Sequence, residues 1–256
     1  MRELIAFDCA GETLIGTLDG AQGKTGLLIA SGGNEVRAGA HRGMAMLSQR
    51  LADRGIPVFR FDRRGIGDSS GDNAGYASSG PDIAAAAAAF RRHAPDLQRI
   101  ASFGNCDAAT ALVLFGREAG IDQLILSNPW ITEENDDLPP AAAIRARYAE
   151  RLRDTREWRR LLTGGVNIAK LAKGLSKISA RKSKVPDSLG DRFFAALPSD
   201  AKVILAGRDA TARAFHAEAA RRSWRGTAIT IDTASHSYAR EGDGDALFEA
   251  IRAALG

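Results

Sequence analysis

The chain has few cysteines and no long apolar run. Only two cysteines occur among its 256 residues, Cys9 and Cys106, and they form no CxxC pair. Two cysteines are too few for a disulfide scaffold and lack the spacing of a zinc site, so we expect neither. The absence of an apolar run of about 18 residues excludes a typical transmembrane helix.

The first residues, MRELIAFDCAGE, bring in charge too early for a secretory signal peptide. Together with the low cysteine content, this favours a cytoplasmic location. Hydrophobic residues make up 45% of the chain and charged residues 26%, which excludes a disordered protein. A chain of this length can bury most of its apolar surface in one core, so we expect one α/β domain with room for an insertion.

The positive charge is concentrated in one segment. The net charge is +4, but residues 140–185 contain 13 lysines and arginines against 3 acidic residues, which leaves the rest of the chain at −6. This distribution argues against a nucleic-acid-binding protein. Two interpretations of the segment stay open. In the first, the segment recruits an anionic substrate or carrier, such as an acyl carrier protein. In the second, it is a solvated helical face whose arginine stems cover apolar surface.

Strands and helices alternate along most of the chain. The predicted strands are residues 3–9, 13–19, 26–30, 57–62, 99–103, 123–127, 201–206 and 227–232. The predicted helices are residues 41–54, 81–93, 107–119, 211–222 and 243–255. An antiparallel start followed by repeated β-α units predicts an α/β fold, with a mostly parallel eight-stranded sheet and helices on both faces.

The alternation stops between residues 131 and 200. Residues 141–162 have the pattern of an amphipathic helix, residues 163–184 are basic and weakly patterned, and a short helix is predicted around Phe193 and Phe194. We therefore expect a helical cap at 131–200, inserted into a core formed by residues 1–130 and 201–256.

The segment around Cys106 predicts a nucleophile at a sharp turn. A strand runs directly into a helix there, and Gly104 and Ala108 supply the small residues that this close approach requires. The pattern is G-x-C-x-A in place of G-x-S-x-G. Taken alone, the segment also fits a small buried cysteine without a catalytic role.

A second segment, Gly67–Gly71, matches G-x-S-x-G letter for letter. No strand directly precedes it and no helix follows it, so we interpret residues 62–69 as a structural turn whose glycines permit unusual backbone angles. The same stretch nearly matches a dinucleotide fingerprint, but Ser70 replaces the third glycine, which argues against a nucleotide site.

A thiol nucleophile needs a base that is held by an acid. The chain has four histidines: His41, His93, His216 and His236. Only His236 lies in a loop just after a late strand. Asp209 directly follows the penultimate strand and is preferred as the acid over Asp232, which still lies inside the last strand. Cys106, Asp209 and His236 then each follow the carboxyl end of a different strand, the edge where open α/β sheets bind ligands.

The predicted oxyanion hole follows from the same geometry. One donor is the backbone N–H of Asp107, and the other comes from the loop after the third strand, either Gly33 or, as the second choice, Asn34. Three basic side chains near this loop are candidates for binding a substrate anion: Arg37, His41 and Arg42. His41 also has a simpler interpretation as a helix cap.

A helix N-terminus and a nearby imidazolium favour the thiolate form of a cysteine. A thiolate attacks thioesters, lactones and enol esters, and the resulting acyl-enzyme can pass its acyl group to water or to another acceptor. Hydrolysis and acyl transfer therefore both stay open, as does a non-catalytic protein that binds an acyl or glycan partner. The predicted chemistry requires neither a metal nor an organic cofactor, its partner is a small acyl substrate, and the oligomeric state is left open.

With these residues in place, the chain resembles the α/β-hydrolase superfamily along nearly its whole length. The markers are the D-x-R-G-x-G-D-S turn at 62–69, the elbow at Cys106 and the order nucleophile, acid, base. The chain is most similar to the exosortase A system-associated hydrolase 1 group. The shared motifs are Gly32-Gly33…Arg37…His41-Arg42, Cys106-Asp107-Ala108, Asn128-Pro129-Trp130, and the run from Trp158 to Ile168.

The resemblance implies a hydrolase-like protein that is linked to exopolysaccharide production and surface-protein sorting. The chain departs from the group at Asn105, where a hydrophobic residue is expected, and at Ala234-Ser235, where an acidic residue is more usual.

Overall fold

The computed structural model describes residues 1–132 and 188–256. The strands in these ranges are β1 (Arg2–Cys9), β2 (Glu12–Asp19), β3 (Thr25–Ala30), β4 (Val58–Phe61), β5 (Arg99–Asn105), β6 (Gln123–Ser127), β7 (Lys202–Ala206) and β8 (Thr227–Ile231). The helices are α1 (Gly43–Ala52), α2 (Gly80–His93), α3 (Asp107–Phe115), α4 (Leu189–Ala196), α5 (Ala210–Arg221) and α6 (Asp243–Leu255), with 3₁₀ turns at Ala40–Arg42 and Tyr76–Ser78.

The eight strands form one sheet in the order β1-β2-β4-β3-β5-β6-β7-β8. The pairs β1–β2 and β2–β4 are antiparallel, and the remaining pairs are parallel. The predicted mostly parallel eight-stranded sheet is thereby confirmed. Its central strands are buried on both faces, which explains why they appear in the sequence as short continuous apolar runs.

Helices cover both faces of the sheet. On one face, α1 and α6 pack against the central strands through Leu47, Leu51, Phe248 and Ile251. On the other face lie α2, α3, α4 and α5, in a second cluster that includes Phe90 of α2. The two helical layers leave the carboxyl ends of the parallel strands as the edge at which loops meet.

The turn after β4 uses its serine for structure. The Ser69 hydroxyl donates to the Asp62 carbonyl oxygen at 2.8 Å and accepts the Ile15 N–H of β2 at 2.9 Å. The carboxylate of Asp62 is fully buried and accepts the backbone N–H groups of Arg37 and Asp68. The letters G-x-S-x-G at 67–71 thus belong to a turn that joins three segments, and not to a nucleophile elbow.

Most of the predicted cap, including the helix expected at 141–162 and the basic stretch at 163–184, lies outside the described residues. The described end of the segment contains α4, which is the short helix predicted around Phe193 and Phe194. Ser188 and Asp191 form a capping box at its start. Phe193 is fully buried and packs edge-on against Phe215 of α5, with ring centroids 6.1 Å apart.

Within the described ranges, no helix combines the length and the apolar character needed to cross a bilayer.

Candidate active site

Cys106 is the single residue between β5 and α3. Its backbone angles are φ 62° and ψ −126°, a conformation that non-glycine residues rarely adopt. The strain is maintained by the neighbours, because the Cys106 N–H donates to the Ser127 carbonyl and its own carbonyl accepts the Trp130 N–H. The half-buried side chain therefore stands at the carboxyl edge of the sheet, directly before the first N–H of α3.

The small residues around the elbow are required by space. A Cβ on Gly104 would lie 2.9 Å from the carbonyl carbon of Ala108 and 2.7 Å from a methyl group of Leu112. Ala108 itself is completely buried. Strand and helix thus approach as closely as the sequence pattern predicted.

Replacing Gly104 with alanine is expected to destabilise the protein by roughly 1–3 kcal/mol, the usual cost of overpacking. The matched control is Gly244→Ala in the first turn of α6, where the added Cβ has no atom within 4 Å apart from its chain neighbours and the backbone of its own helix. Chemical denaturation should find that variant neutral, or more stable by up to about 1 kcal/mol. Equal stability of the two variants would contradict the close approach at the elbow.

His236 and Asp209 meet beyond the ends of β8 and β7. The His236 Nδ1 lies 3.1 Å from the Asp209 Oδ2, and Asp209 also caps α5 by accepting the Ala212 N–H at 3.0 Å. Burial would raise the pKa of Asp209, but its hydrogen bonds from His236 and the Ala212 amide outweigh burial and lower it. The carboxylate is therefore charged and faces the imidazole.

The imidazole links Asp209 to the thiol. The hydrogen bond with Asp209 and a further one with Cys106 together raise the pKa of His236 to about 10, against the opposing effect of burial. At neutral pH the ring is then an imidazolium between two groups that can carry negative charge. The structure thus brings Cys106, His236 and Asp209 together in series.

Asp232 does not take part in this contact. Its side chain is 90% exposed and pairs with Arg208 at 3.1 Å. The strand β8 ends at Ile231, so Asp232 begins the loop that carries His236, but its carboxylate turns to the surface.

An NMR titration of the four histidines tests this arrangement. His236, identified by comparison with His236→Gln, should titrate near pH 10, and Asp209→Asn should lower that midpoint by more than about one unit because the largest cause of the raised pKa is removed. Asp232→Asn is the control and should leave the midpoint of His236 unchanged.

The same pair makes the stability depend on pH. Because the folded pKa of His236 lies above the unfolded value of 6.5, the stabilisation from its pairing with Asp209 is complete below pH 6.5 and is lost as the pH rises toward about 10.

The predicted oxyanion loop packs directly on the elbow. A Cβ on Gly32 would collide with the Asn105 carbonyl oxygen at 2.5 Å and with the Asp107 carboxylate at 2.8 Å. The N–H of Gly33 donates to the Asp107 Oδ1 at 2.6 Å. Arg63, which is 3% exposed, donates to the Gly33 carbonyl at 2.6 Å and lies 3.4 Å from the other Asp107 carboxylate oxygen. The Gly33 peptide is thus held on both sides, and its N–H is occupied by the protein's own carboxylate.

The other predicted residues near this loop are exposed or pair with side chains outside the triad. Asn34 is exposed and accepts from the Asn73 amide at 3.0 Å. The Arg37 guanidinium pairs with Asp62 and with Asp68, so a substrate anion would have to compete for it. His41 and Arg42 are exposed and both have positive φ angles, 50° and 61°.

Sequence reasoning missed two amides beside His236. Asn105 and Asn128 both donate to the His236 backbone carbonyl, at 3.1 and 3.2 Å. The signal in the sequence was the polar Asn105 at a position where a hydrophobic residue was expected. For Asn128, nothing in the sequence indicated a partner more than 100 residues away.

No group of three or more histidine, cysteine, aspartate or glutamate side chains in 1–132 and 188–256 is arranged to hold a metal ion.

The sheet order, the elbow between β5 and α3, and the loops that follow β7 and β8 define an α/β hydrolase. The match to a family model covers residues 25–189, and the chain belongs to that family, the serine aminopeptidase S33 family. The serine of that description has no counterpart at this elbow, where Cys106 stands. None of the curated proteins compared with the chain matches it.

Solved structures agree on the fold. The α/β hydrolase GrgF from Penicillium sp. sh18 superposes with a TM-score of 0.68 at 16% identity, over 100% of this chain and 98% of that one. The Pyrococcus furiosus esterase Pf2001 gives 0.63 at 16% identity, over 100% and 92%. A thioesterase domain from the curacin biosynthetic pathway gives 0.60 at 12% identity, over 98% and 99%. At these identities the likeness concerns the fold.

Proposed function

We propose that the protein is a cysteine-dependent α/β hydrolase that cleaves an ester, thioester or lactone through a covalent acyl-enzyme. The observation that carries the proposal is the series of contacts from the Asp209 carboxylate to the His236 imidazole, 3.1 Å apart, and from that imidazole to Cys106. A charged carboxylate, an imidazolium and a sulfur nucleophile in this order are what acyl transfer to a thiol needs. The esterase and thioesterase among the structural relatives are consistent with this chemistry.

In the proposed reaction, His236 holds the proton of the Cys106 thiol as an ion pair. The sulfur attacks the carbonyl carbon, and the C–S bond forms as the carbonyl π electrons move to oxygen. When the tetrahedral intermediate collapses, the C–O or C–S bond to the leaving group breaks and that group takes the proton from His236. His236 then removes a proton from water, which attacks the thioester and frees the acid and the thiol.

The developing oxyanion needs donors near the elbow. The N–H of Asp107 opens α3 and belongs to the amides that have no acceptor inside the helix. We assign the second donor to Gly33, whose N–H becomes available when the Asp107 side chain turns away from it. Asn34, in the same loop, is the second choice for this donor, and Arg37, His41 and Arg42 are proposed to bind an anionic part of the substrate.

Incubation with p-nitrophenyl acetate tests the proposal. We expect a burst of p-nitrophenol that approaches one equivalent of enzyme, and one acetyl group on the peptide that contains Cys106, found by mass spectrometry after acid quenching. Steady turnover in water alone indicates a hydrolase. An acyltransferase, the second candidate, is slow in water and accelerated by an added amine or alcohol.

A non-catalytic binding protein is the third candidate. It would leave Cys106 unreactive toward iodoacetamide at neutral pH and would acquire no acetyl group. Cys9 serves as the internal reference, because burial and its hydrogen bond to Asp82 raise the pKa of that thiol to about 11. Labelling of Cys9 in preference to Cys106 would refute the assignment of the nucleophile.

We further propose that the protein acts in the cytoplasm, on a substrate that belongs to an exopolysaccharide or exosortase system. This rests on the motifs that resemble the exosortase A system-associated hydrolase 1 group, notably the Gly32-Gly33 loop and Asn128-Pro129-Trp130. The net charge of +10 at residues 140–185 favours an anionic or carrier-bound acyl group.

A further inference from the structure

Two asparagine side chains hold the backbone of the catalytic loop at His236. Asn105 is the last residue of β5, next to Cys106, and Asn128 directly follows β6. Both side-chain amides donate to the His236 carbonyl oxygen, at 3.1 and 3.2 Å, and the Asn128 amide also donates to the Asn105 Oδ1 at 3.0 Å. These bonds span 131 and 108 residues of sequence separation.

The direction of each bond in this pair is fixed by one backbone amide. The N–H of Ala206, at the end of β7, can only donate, and it points to the Asn128 Oδ1 at 2.8 Å. The nitrogen of Asn128 must therefore face Asn105 and His236. Asn105 then presents its oxygen to Asn128 and its own nitrogen to the His236 carbonyl.

The surroundings show that the pair is built for this position. Asn128 is completely buried and has a positive φ of 41°, which costs backbone strain that the hydrogen bonds to Ala206, Asn105 and His236 offset. Three parallel strands, β5, β6 and β7, thus contribute to one anchor on the loop that carries the imidazole.

We propose that Asn105 and Asn128 are positioning residues that hold His236 in line with Cys106. This inference rests on the proposed function, because it assigns the amides a role in the Cys106–His236–Asp209 chemistry. Fixing the peptide of His236 limits where its ring can lie, and a displacement of about 1 Å at a reacting group can cost up to about 10²-fold in rate. Asn105 contacts the backbone of this loop, so it acts through His236.

A double-variant cycle separates positioning from simple stabilisation. We compare wild type, Asn105→Ala, His236→Ala and the double variant, using p-nitrophenyl acetate turnover and the rate of Cys106 alkylation by iodoacetamide at pH 7. Asn105→Ala should lower kcat about ten-fold with KM changed by less than about two-fold, and should slow the alkylation of Cys106. In the His236→Ala background it should have no further effect on the alkylation rate.

Stability gives the complementary readout. The backbone carbonyl at position 236 remains in His236→Ala, so Asn105→Ala should lower Tm by the same amount in both backgrounds. The matched control is Ser235→Ala, which removes the 2.9 Å hydrogen bond that the Ser235 Oγ accepts from the Ala239 N–H in the same loop and should leave kcat within about two-fold of wild type. Loss of alkylation rate by the same factor in both backgrounds, or no loss in either, would overturn the inference.

These outcomes are distinct from failure of the proposed function. If Cys106→Ala retained full ester turnover, the nucleophile assignment would fail, whereas the alkylation rates of the four proteins would still report whether Asn105 sets the contact of the thiol with His236.

Discussion

Replacing Cys106 with alanine is expected to lower ester turnover at least about 10³-fold, because the covalent step loses its nucleophile. Cys106→Ser should remain lowered by roughly 10² or more, since a hydroxyl ionises far less readily than a thiol beside an imidazole. The contribution of Cys106 to the raised pKa of His236 disappears in Cys106→Ala. The measurement is kcat/KM for p-nitrophenyl acetate across pH 5 to about 10.

The control for this prediction is Cys9→Ala. Cys9 is 4% exposed and donates to the Asp82 carboxylate at 3.4 Å, so its loss should affect stability and leave kcat unchanged. The two variants remove the same atom from opposite environments, one buried and one at the elbow. Equal activity of Cys106→Ala and Cys9→Ala would refute a role of Cys106 as nucleophile.

The fold could be predicted from the sequence because its strands obey a local rule. Segments such as Gly26–Ala30 and Pro57–Phe61 are short apolar runs bounded by turn residues, and a strand buried on both faces must have that composition. The elbow could be found for the same reason. Gly104 and Ala108 are small because strand and helix nearly touch, which is a constraint on adjacent residues.

The contacts within the site could be predicted only in part. Asp209 and His236 follow strand ends, so their meeting at one edge of the sheet follows from topology. The Asp107 carboxylate on the Gly33 N–H and the asparagine pair on the His236 carbonyl depend instead on side-chain rotamers and on the register between distant strands. The hydrophobic pattern carries no information about either.

The second large effect is expected at Asp62. Asp62→Ala should lower the free energy of unfolding by roughly 3–5 kcal/mol, because it leaves a partly buried guanidinium without its main partner. The fully buried carboxylate accepts the N–H and the guanidinium of Arg37 and the N–H of Asp68, so one side chain joins β4, the following turn and the loop after β3. Chemical denaturation at pH 7 measures the loss.

Asp68→Ala is the matched control, because Asp68 pairs with the same Arg37 at 2.9 Å but is 69% exposed. That ion pair is worth at most about 1 kcal/mol. The loop tied down by Asp62 carries Gly33, whose N–H is the proposed oxyanion donor, so Asp62→Ala should also lower kcat in the fraction that stays folded, whereas Asp68→Ala should not. Similar destabilisation by the two variants would show that the buried Asp62 carboxylate is no more important than the exposed Asp68, and would refute its role as the anchor between the turn and the active-site loop.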